Sequence, residues 1–193
     1  MEARESDHKK IKLNNGGFAL VSDEDFEELS KYKWHRRSSD GYAARTIYEN
    51  GKFTTVRMHR EIIKAPPGLV VDHINRDRLD NRRENLRIAT RSQNTANSIA
   101  PSTNKSGYKG VQYRKEQKRW RAVIRVNGKH ISLGQYGTAE EAAQAYNEAA
   151  VKYFGEYARI NVIAPVETAH FVEVDELSDS ERGVGGFGST GVK

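Results

Sequence analysis

The most regular alternation of apolar and polar positions lies in residues 108–161. In RWRAVIRV, residues 119–126, Trp120 and the following apolar side chains alternate with Arg and Val, as expected of a strand with one buried face and one cationic face. The flanking stretches YKGVQYR and KHISLGQY have strand-forming composition, and Asn127 with Gly128 is typical of a two-residue hairpin turn. We therefore predict a three-stranded antiparallel sheet.

A helical pattern follows the third predicted strand. Thr138 and Glu141 form a capping box that predicts the start of a helix, and Gly155 predicts its end. The apolar positions between them have helical spacing and are Ala142, Ala143, Tyr146, Ala149, Ala150 and Tyr153. Because most of these side chains are small, we expect the helix to lie close against the apolar face of the sheet. The arginine face is then left open, as suits a nucleic-acid groove.

Residues 1–60 alternate short β-like runs with turn signals. The runs are IKL, FALV, GYAARTIY and FTTVRMH, and ENGK is a turn between the last two. Between the second and third runs, DEDFEELSKYKW predicts a short helix that begins at Ser22 or Asp23. Helices and strands are thus mixed along the chain, which predicts an α+β fold.

Residues 70–97 concentrate the side chains that can carry chemistry. A short predicted strand, residues 69–71, leads into Asp72 and His73, and a loop rich in Asp, Asn and Arg follows. Residues 86–89 predict a second strand, and residues 92–97 predict the start of a helix capped by Thr90 or Ser92. This compact ββα order is expected to bring Asp72, His73 and Asn94 within reach of one another.

The residue types in this segment suit hydrolysis of a phosphodiester. A carboxylate and an amide oxygen are hard ligands that suit Mg²⁺ or Mn²⁺, and a neutral imidazole beside such a metal can accept a proton from water. A single His after an Asp is, however, more often a turn or surface residue than a catalyst, so the residues alone leave both interpretations open.

Charge points to a polyanionic partner. The chain has 193 residues, no Cys and a net charge of +6, and residues 105–130 hold nine Lys or Arg against one Glu, a local charge of +8. Such density attracts phosphate backbones, although a merely solvated surface is the alternative. The absence of Cys excludes disulfides, thiolate metal sites and Cys nucleophiles.

Composition also divides the chain. Residues 98–107 are polar with Pro and Gly, which predicts a linker between a domain at residues 1–97 and one at residues 108–161. Residues 162–193 are acidic and then Gly-rich, which predicts a disordered tail. No bilayer-spanning run or signal peptide is evident, so we expect a cytoplasmic protein in a bacterial or phage-infected host cell, with no membrane partner.

Residues 107–161 resemble the plant ethylene-response-factor (Apetala-type) DNA-binding family. The match is carried by YKGVQYR, RWRAVIRV and ISLGQYGTAEEAAQAYNEAAVKYFGEYARIN. The resemblance implies that the exposed sheet face enters the major groove of double-stranded DNA. By position, the contacting residues it implies are Lys109, Gln112, Arg114, Arg121, Arg125, His130 and Ser132. Gln112 stands where the family usually has Arg, and Ser132 where it has Trp, so base specificity is not carried over.

VDHIN, LDNRRENLR and SQNTAN resemble the HNH, or His-Me finger, nuclease family of phage and intron homing endonucleases. The match runs from about residue 10 to residue 97 and implies a ββα-metal finger. It implies His73 as general base, Asp72 and Asn94 as metal ligands, and Asn85 as the residue that ties the loop across the finger. His59 and Arg87 are possible accessory residues. The arginines expected to contact phosphate or stabilise the transition state are Arg76, Arg78, Arg82, Arg83 and Arg87.

Together these features predict a homing-type DNA endonuclease that uses one Mg²⁺ or Mn²⁺ ion. The first domain is expected to cut and the second to dock on double-stranded DNA, with the protein acting as a monomer and without a small-molecule substrate. The alternatives are a DNA-binding regulator with an inactive nuclease finger and, on charge alone, a binder of structured RNA.

Overall fold

The computed structural model describes residues 8–163, which form an α+β fold with four small sheets. The strands are β1 (His8–Lys12), β2 (Phe18–Ser22), β3 (His35–Arg36), β4 (Ala43–Glu49), β5 (Lys52–Arg57), β6 (Val70–His73), β7 (Asp80–Asn81), β8 (Leu86–Ala89), β9 (Val111–Arg114), β10 (Arg119–Val126) and β11 (Lys129–Tyr136). The helices are α1 (Asp23–Ser30), α2 (Met58–Ile62), α3 (Arg91–Ala96) and α4 (Ala139–Phe154). Among these described helices none is long and apolar enough to cross a membrane.

The N-terminal region contains two three-stranded sheets. Their strand orders are β1-β2-β7 and β3-β4-β5, and all neighbours are antiparallel except β2 and β7. Apolar side chains from both sheets and α2 bury Trp34 completely, and its Nε1 donates a hydrogen bond to the carbonyl of Leu29 at 2.8 Å. The run FTTVRMH is not strand throughout, because Met58 and His59 begin α2 and turn their side chains into the protein.

The two-stranded sheet of β6 and β8 carries the predicted chemistry. β6 and β8 pair antiparallel, with Asp72 opposite Arg87 and His73 opposite Leu86. α3 follows β8 and packs against β6. Of the two predicted caps, Thr90 is the one used: its side chain accepts from the Gln93 amide, while the Gln93 side chain accepts from the Thr90 amide.

Residues 108–161 fold largely as predicted. Strands β9, β10 and β11 form an antiparallel sheet, and the turn residues Asn127 and Gly128 have φ values of 48° and 83°, as a type I′ turn requires. The capping box of Thr138 and Glu141 starts α4, whose buried alanines lie on Ala122 and Ile124. The predicted set of buried apolar positions on α4 is wrong at its C-terminal end, because Tyr153 is exposed and Phe154 is buried instead.

The predicted linker, residues 98–107, makes hydrogen bonds within itself and to Tyr108, which precedes the sheet of β9, β10 and β11. Asn104 Nδ2 donates to the Tyr108 carbonyl at 2.7 Å, and the Ser106 amide donates to Asn104 Oδ1 at 2.8 Å. The segments on either side of it also touch, since the Arg159 amide donates to the Ala96 carbonyl at 3.2 Å. The predicted tail lies outside the described residues from residue 164 onward.

Candidate active site and nucleic-acid interface

The predicted chemical residues meet at one cavity of about 390 Å³. Asp72 and His73 reach it from β6, Asn94 from α3, and Tyr42 from the segment before β4. The lining residues are Tyr42, Asp72, His73, Arg76, Arg78, Asn94, Asn97, Ser98 and Ile99. The cavity is therefore polar and cationic, as a phosphate site needs to be.

His73 is buried at the wall of this cavity, with 4% of its surface exposed. Its Nε2 donates to Asn81 Oδ1 at 3.4 Å, and its ring lies 5.5 Å from the Tyr42 ring, centroid to centroid. Burial lowers the pKa of His73 from its ordinary value. The imidazole is therefore neutral at pH 7, and with a proton on Nε2 it can accept another on Nδ1.

His59 lies beside His73, with the two rings edge to face and their centroids 5.1 Å apart. It is as buried as His73, and its Nδ1 is among the buried atoms without a hydrogen-bond partner in the described part of the chain. Burial, followed by repulsion from a protonated His73, lowers the pKa of His59 to about 3. The structure thus brings the possible accessory residue His59 to the back of the His73 ring, as a neutral side chain.

The Asp72 carboxylate is held by two donors. Arg87 directs both Nε and Nη2 at Asp72 Oδ2, at 3.0 and 2.9 Å. Asn97 Nδ2 is 3.1 Å from each carboxylate oxygen and 2.9 Å from the His73 carbonyl that it donates to. Oδ1 accepts only from Asn97 among the described contacts, so it keeps acceptor capacity for a further partner.

Asn85 ties together the loop between β6 and β8. Its Nδ2 donates to the Asp80 carbonyl at 2.8 Å and to Asn75 Oδ1 at 3.0 Å, and its Oδ1 accepts from the Asn75 amide at 2.9 Å. Asp80 is also bound by Arg82, whose hydrogen bonds outweigh the effect of burial and lower the pKa of that carboxyl. Asn85 therefore braces the loop rather than facing the cavity.

The side chains at the cavity fit a hard divalent cation with an incomplete protein shell. Asp72 supplies a carboxylate and Asn94 an amide oxygen, and both residues line the cavity. Residues 8–163 contain no cluster of three or more His, Cys, Asp or Glu side chains able to enclose a metal. Mg²⁺ matches such a site, because it commonly takes one or two protein ligands and completes its shell with water and substrate phosphate.

The five candidate arginines divide into two groups. Arg76 and Arg78 line the cavity, and the Arg78 guanidinium lies 5.1 Å from the Tyr42 ring centroid while Nη1 donates to the Asp40 carbonyl at 2.6 Å. The other three arginines form salt bridges with carboxylates: Arg82 with Asp80 and Glu84, Arg83 with Asp25 and Glu24, and Arg87 with Asp72. Arg76 and Arg78 are thus the two placed to meet a phosphate in the cavity.

Six of the seven residues implied as DNA contacts share the open face of the sheet of β9, β10 and β11. Arg121 lies opposite Gln112, and Arg125 opposite His130. Arg121 Nε also donates to Ser132 Oγ at 3.4 Å, across the sheet. The six residues, here named the basic sheet face, are Gln112, Arg114, Arg121, Arg125, His130 and Ser132.

Lys109 is placed differently. Its Nζ donates to the carbonyls of Thr95, Ala96 and Ser98, at 3.1 Å for Thr95 and 2.7 Å for Ser98. Burial lowers the pKa of Lys109 to about 8. In this structure the ammonium therefore caps the C-terminal end of α3 and does not point outward with the basic sheet face.

Sequence reasoning missed Asn97 and Tyr42. Asn97 lies one helical turn after Asn94 in SQNTAN, so the helical spacing already placed the two amides on one side of the helix. Tyr42 has no such signal, because it is 30 residues from Asp72 and reaches the cavity only through the packing of the N-terminal sheets.

Comparison with known proteins gives two family matches. Residues 64–96 match the HNH endonuclease family, and residues 106–156 match the AP2 domain. An AP2-like ethylene-responsive transcription factor of Arabidopsis thaliana is 41% identical over 81 residues, which is 42% of this chain and 17% of that protein. These matches confirm both resemblances seen in the sequence, and the two domains imply DNA binding.

Two viral proteins match more of the chain. An uncharacterized HNH endonuclease of Acanthamoeba polyphaga mimivirus is 36% identical over 77% of this chain and 76% of its own length. Protein 3.8 of Escherichia phage T7 is 32% identical over 47% of this chain and 78% of its own length.

Short matches to enzymes of another kind also occur. A stretch of 30 residues is 80% identical to the deoxyuridine 5′-triphosphate nucleotidohydrolase of Thermobifida fusca, of which it covers 17%. So small a share of that enzyme does not bring its activity to this chain. No solved structure matches. Because the mimivirus protein is similar over most of both chains and the HNH match spans the segment that holds Asp72 and His73, the protein belongs to the HNH endonuclease family and carries an AP2 domain.

Proposed function

We propose that this protein is a homing-type, metal-dependent endonuclease that cuts double-stranded DNA at recognised sites. The observation that carries the proposal is the meeting of a buried neutral imidazole, His73, with the Asp72 carboxylate and the Asn94 amide at one cationic cavity. The strand, loop, strand and helix that hold them, residues 70–96, act in this proposal as a ββα-metal finger.

His73 is the general base. Its lowered pKa keeps the ring neutral at pH 7, and the hydrogen bond to Asn81 fixes the ring so that Nδ1 can take a proton from water. The resulting hydroxide attacks the scissile phosphorus, the bond from phosphorus to the 3′ oxygen breaks, and the leaving 3′ oxygen takes a proton from water to become a hydroxyl. Arg76 and Arg78 line the cavity and stabilise the charge that develops on the phosphate oxygens. No covalent bond to the protein forms.

Asp72 and Asn94 hold the divalent cation, for which Mg²⁺ and Mn²⁺ are the candidates. When bound, such an ion supplies Lewis-acid stabilisation of the phosphate and of the leaving oxygen. Arg87 and Asn97 orient the Asp72 carboxylate for this task, and Asn85 braces the loop that connects the two strands.

The AP2 domain docks on DNA through the basic sheet face. Arg121 and Arg125 alternate with the buried Ala122 and Ile124 on β10. The two arginine side chains therefore lie on the face of the sheet that points away from α4. Arg can bind phosphate or read a guanine edge in the major groove. One finger per chain supplies one active site, so a monomer is expected to nick one strand at a time.

A plasmid-nicking assay tests the proposal. The purified protein, stripped with EDTA, is expected to be inactive and to regain nicking with Mg²⁺ or Mn²⁺, whereas Asp72→Ala should not regain it. DNA binding is measured on the same samples by titration. Binding without nicking under all metal conditions would favour the alternative, a DNA-binding regulator with an inactive finger, and full nicking in excess EDTA would contradict the metal mechanism.

A further inference from the structure

The C-terminal domain touches β8, the strand that pairs with the Asp72 strand β6, and α3, the helix that carries Asn94. Arg87, on β8, uses Nη1 to donate to the Glu156 carbonyl at 3.0 Å, while its other donors bind Asp72. The Arg87 guanidinium also lies 4.1 Å from the centroid of the Tyr157 ring. Tyr157 in turn donates its hydroxyl hydrogen to the Ile88 carbonyl at 3.0 Å.

These contacts fix the guanidinium on three sides. Asp72 binds one edge, the Glu156 carbonyl binds another, and the Tyr157 ring covers one face. Arg87 has only 13% of its side chain exposed and Asp72 has 5%, so water competes little for the ion pair. A long Arg side chain without such supports would sample several rotamers, and the carboxylate would lose its fixed orientation.

A second set of contacts holds α3, the helix that carries Asn94. α3 has only six residues, so packing and capping must hold it in place. The ammonium of Lys109 binds three carbonyls at its C-terminal end, and the backbone amide of Arg159 donates to Ala96 there. The backbone of Lys109 is held in turn by Asn161, because the Lys109 backbone amide donates a hydrogen bond to Asn161 Oδ1 at 2.7 Å.

We propose that the C-terminal domain, residues 108–161, is part of the nuclease site as well as its DNA tether: Tyr157, acting through Arg87, positions Asp72, and Lys109, acting through the end of α3, positions Asn94. This inference rests on the proposed function for the role of Asp72 and Asn94. Tyr157 and Lys109 are positioning residues, since neither lines the cavity.

The first test compares Tyr157→Ala and Tyr157→Phe in the full chain, with Mn²⁺ as the probe. Substitution of a residue that supports a metal ligand typically weakens metal binding 10- to 100-fold. Tyr157→Ala is therefore expected to weaken Mn²⁺ binding by about 10-fold or more, measured by calorimetry, with the DNA dissociation constant unchanged. Tyr157→Phe keeps the ring on Arg87 and should restore most of the affinity. Tyr153→Ala, an exposed tyrosine on α4, is the matched control.

Hydrogen exchange separates this inference from the proposed function. In Tyr157→Ala, the amides of β6 and β8 should exchange faster than in the parent and in Tyr157→Phe. If the parent neither binds Mn²⁺ nor nicks DNA, the nuclease proposal fails, and exchange alone then decides the positioning role. Unchanged exchange and unchanged Mn²⁺ affinity in Tyr157→Ala would overturn the inference.

The second test concerns Lys109. Lys109→Met should speed exchange at residues 94–98 and weaken Mn²⁺ binding, while the salt dependence of DNA binding stays as in the parent. Lys152→Met, at an exposed site on α4, is the control. If Lys109 contacts DNA phosphate instead, the log–log salt slope falls by about one unit and Mn²⁺ binding is unchanged, which would overturn the role assigned to Lys109.

Discussion

The buried rings of His73 and His59 meet edge to face at the cavity wall, and burial has a different consequence for each of them. His73 lines the cavity and has Asn81 as a hydrogen-bond partner, whereas His59 sits behind it with an unpartnered Nδ1. Burial lowers the pKa of both side chains. For His73 the neutral ring is a requirement of the proposed chemistry, and for His59 it ties folding stability to pH.

Substitution of His73 separates chemistry from binding. A general base contributes about 10²- to 10⁴-fold to rate, so His73→Ala is expected to slow nicking by that factor at saturating DNA. DNA affinity should change little, because the side chain is buried at the cavity wall and carries no charge. His35→Ala, outside the cavity, is the control. Nicking by His73→Ala at the parental rate would show that another group is the base.

His59 predicts a loss of stability as the pH falls. Between pH 6.5 and about 3 the unfolded chain binds a proton at His59 that the folded chain does not, so the free energy of unfolding decreases as pH decreases. From pH 7 to pH 5 this histidine should cost about 2 kcal/mol, at about 1.4 kcal/mol per pH unit. Urea unfolding of the parent and of His59→Phe measures it. An equal loss in both proteins would contradict the assignment.

Among the elements, β9 and α4 approach each other at Gly110. A Cβ on Gly110 would lie 2.0 Å from the Tyr146 ring and 2.7 Å from the Val123 carbonyl oxygen, and the residue has φ +77°. Tyr146 is buried, with 4% exposed, so its ring has little room to move. Glycine is therefore needed both for the backbone angle and for the close contact.

Gly110→Ala is expected to destabilise the protein by about 3 kcal/mol, from overpacking and a left-handed backbone together. Gly128→Ala is the matched control, because Gly128 has φ +83° but nothing within 4 Å of the added Cβ. It should cost only about 1 kcal/mol. The two variants are compared by urea unfolding, and equal losses would show that the contact with Tyr146 is not limiting.

Elements with strong local signals could be predicted from the sequence. The boundaries of β10 and β8 agree with the predictions, because period-two alternation and turn residues fix a strand locally. The Thr90 and Thr138 caps also depend only on neighbouring residues. Met58 and His59 could not be assigned to a helix in this way, because α2 has five residues and owes its form to packing in the N-terminal core.

The candidate site was predictable in its residues more than in its contacts. Asp72, His73 and Asn94 belong to one continuous strand, loop, strand and helix segment, residues 70–96, so the fold of that segment brings them to one cavity. The pairing of Arg87 with Tyr157 and the contact of Lys109 with the end of α3 join the two predicted domains, so they depend on how these domains pack. Periodicity carries no information about such packing.

At the scale of the whole molecule, charge is concentrated on the part that is proposed to hold DNA. The whole chain has a net charge of +6, and residues 164–193 carry six acids and two bases, a net charge of −4. Residues 1–163 therefore carry a net charge of +10. Several arginines near the proposed finger are neutralised by carboxylates, as in the pairs of Arg82 with Asp80 and Arg83 with Asp25. The basic sheet face is therefore the surface expected to dominate the salt dependence of DNA binding.

Removing two cations from that face tests the division of labour. Arg121→Ala with Arg125→Ala should weaken DNA binding and, if both side chains contact phosphate, flatten the log–log salt dependence by about two units. If either reads a guanine edge, base preference relaxes instead, and site selection from a random DNA library detects it. Lys10→Ala with Lys12→Ala removes the same charge from β1 and serves as the control. Nicking at saturating DNA should persist, because neither arginine lines the cavity. Equal effects of both double variants on affinity and salt slope would mean that net charge, rather than the basic sheet face, holds the DNA.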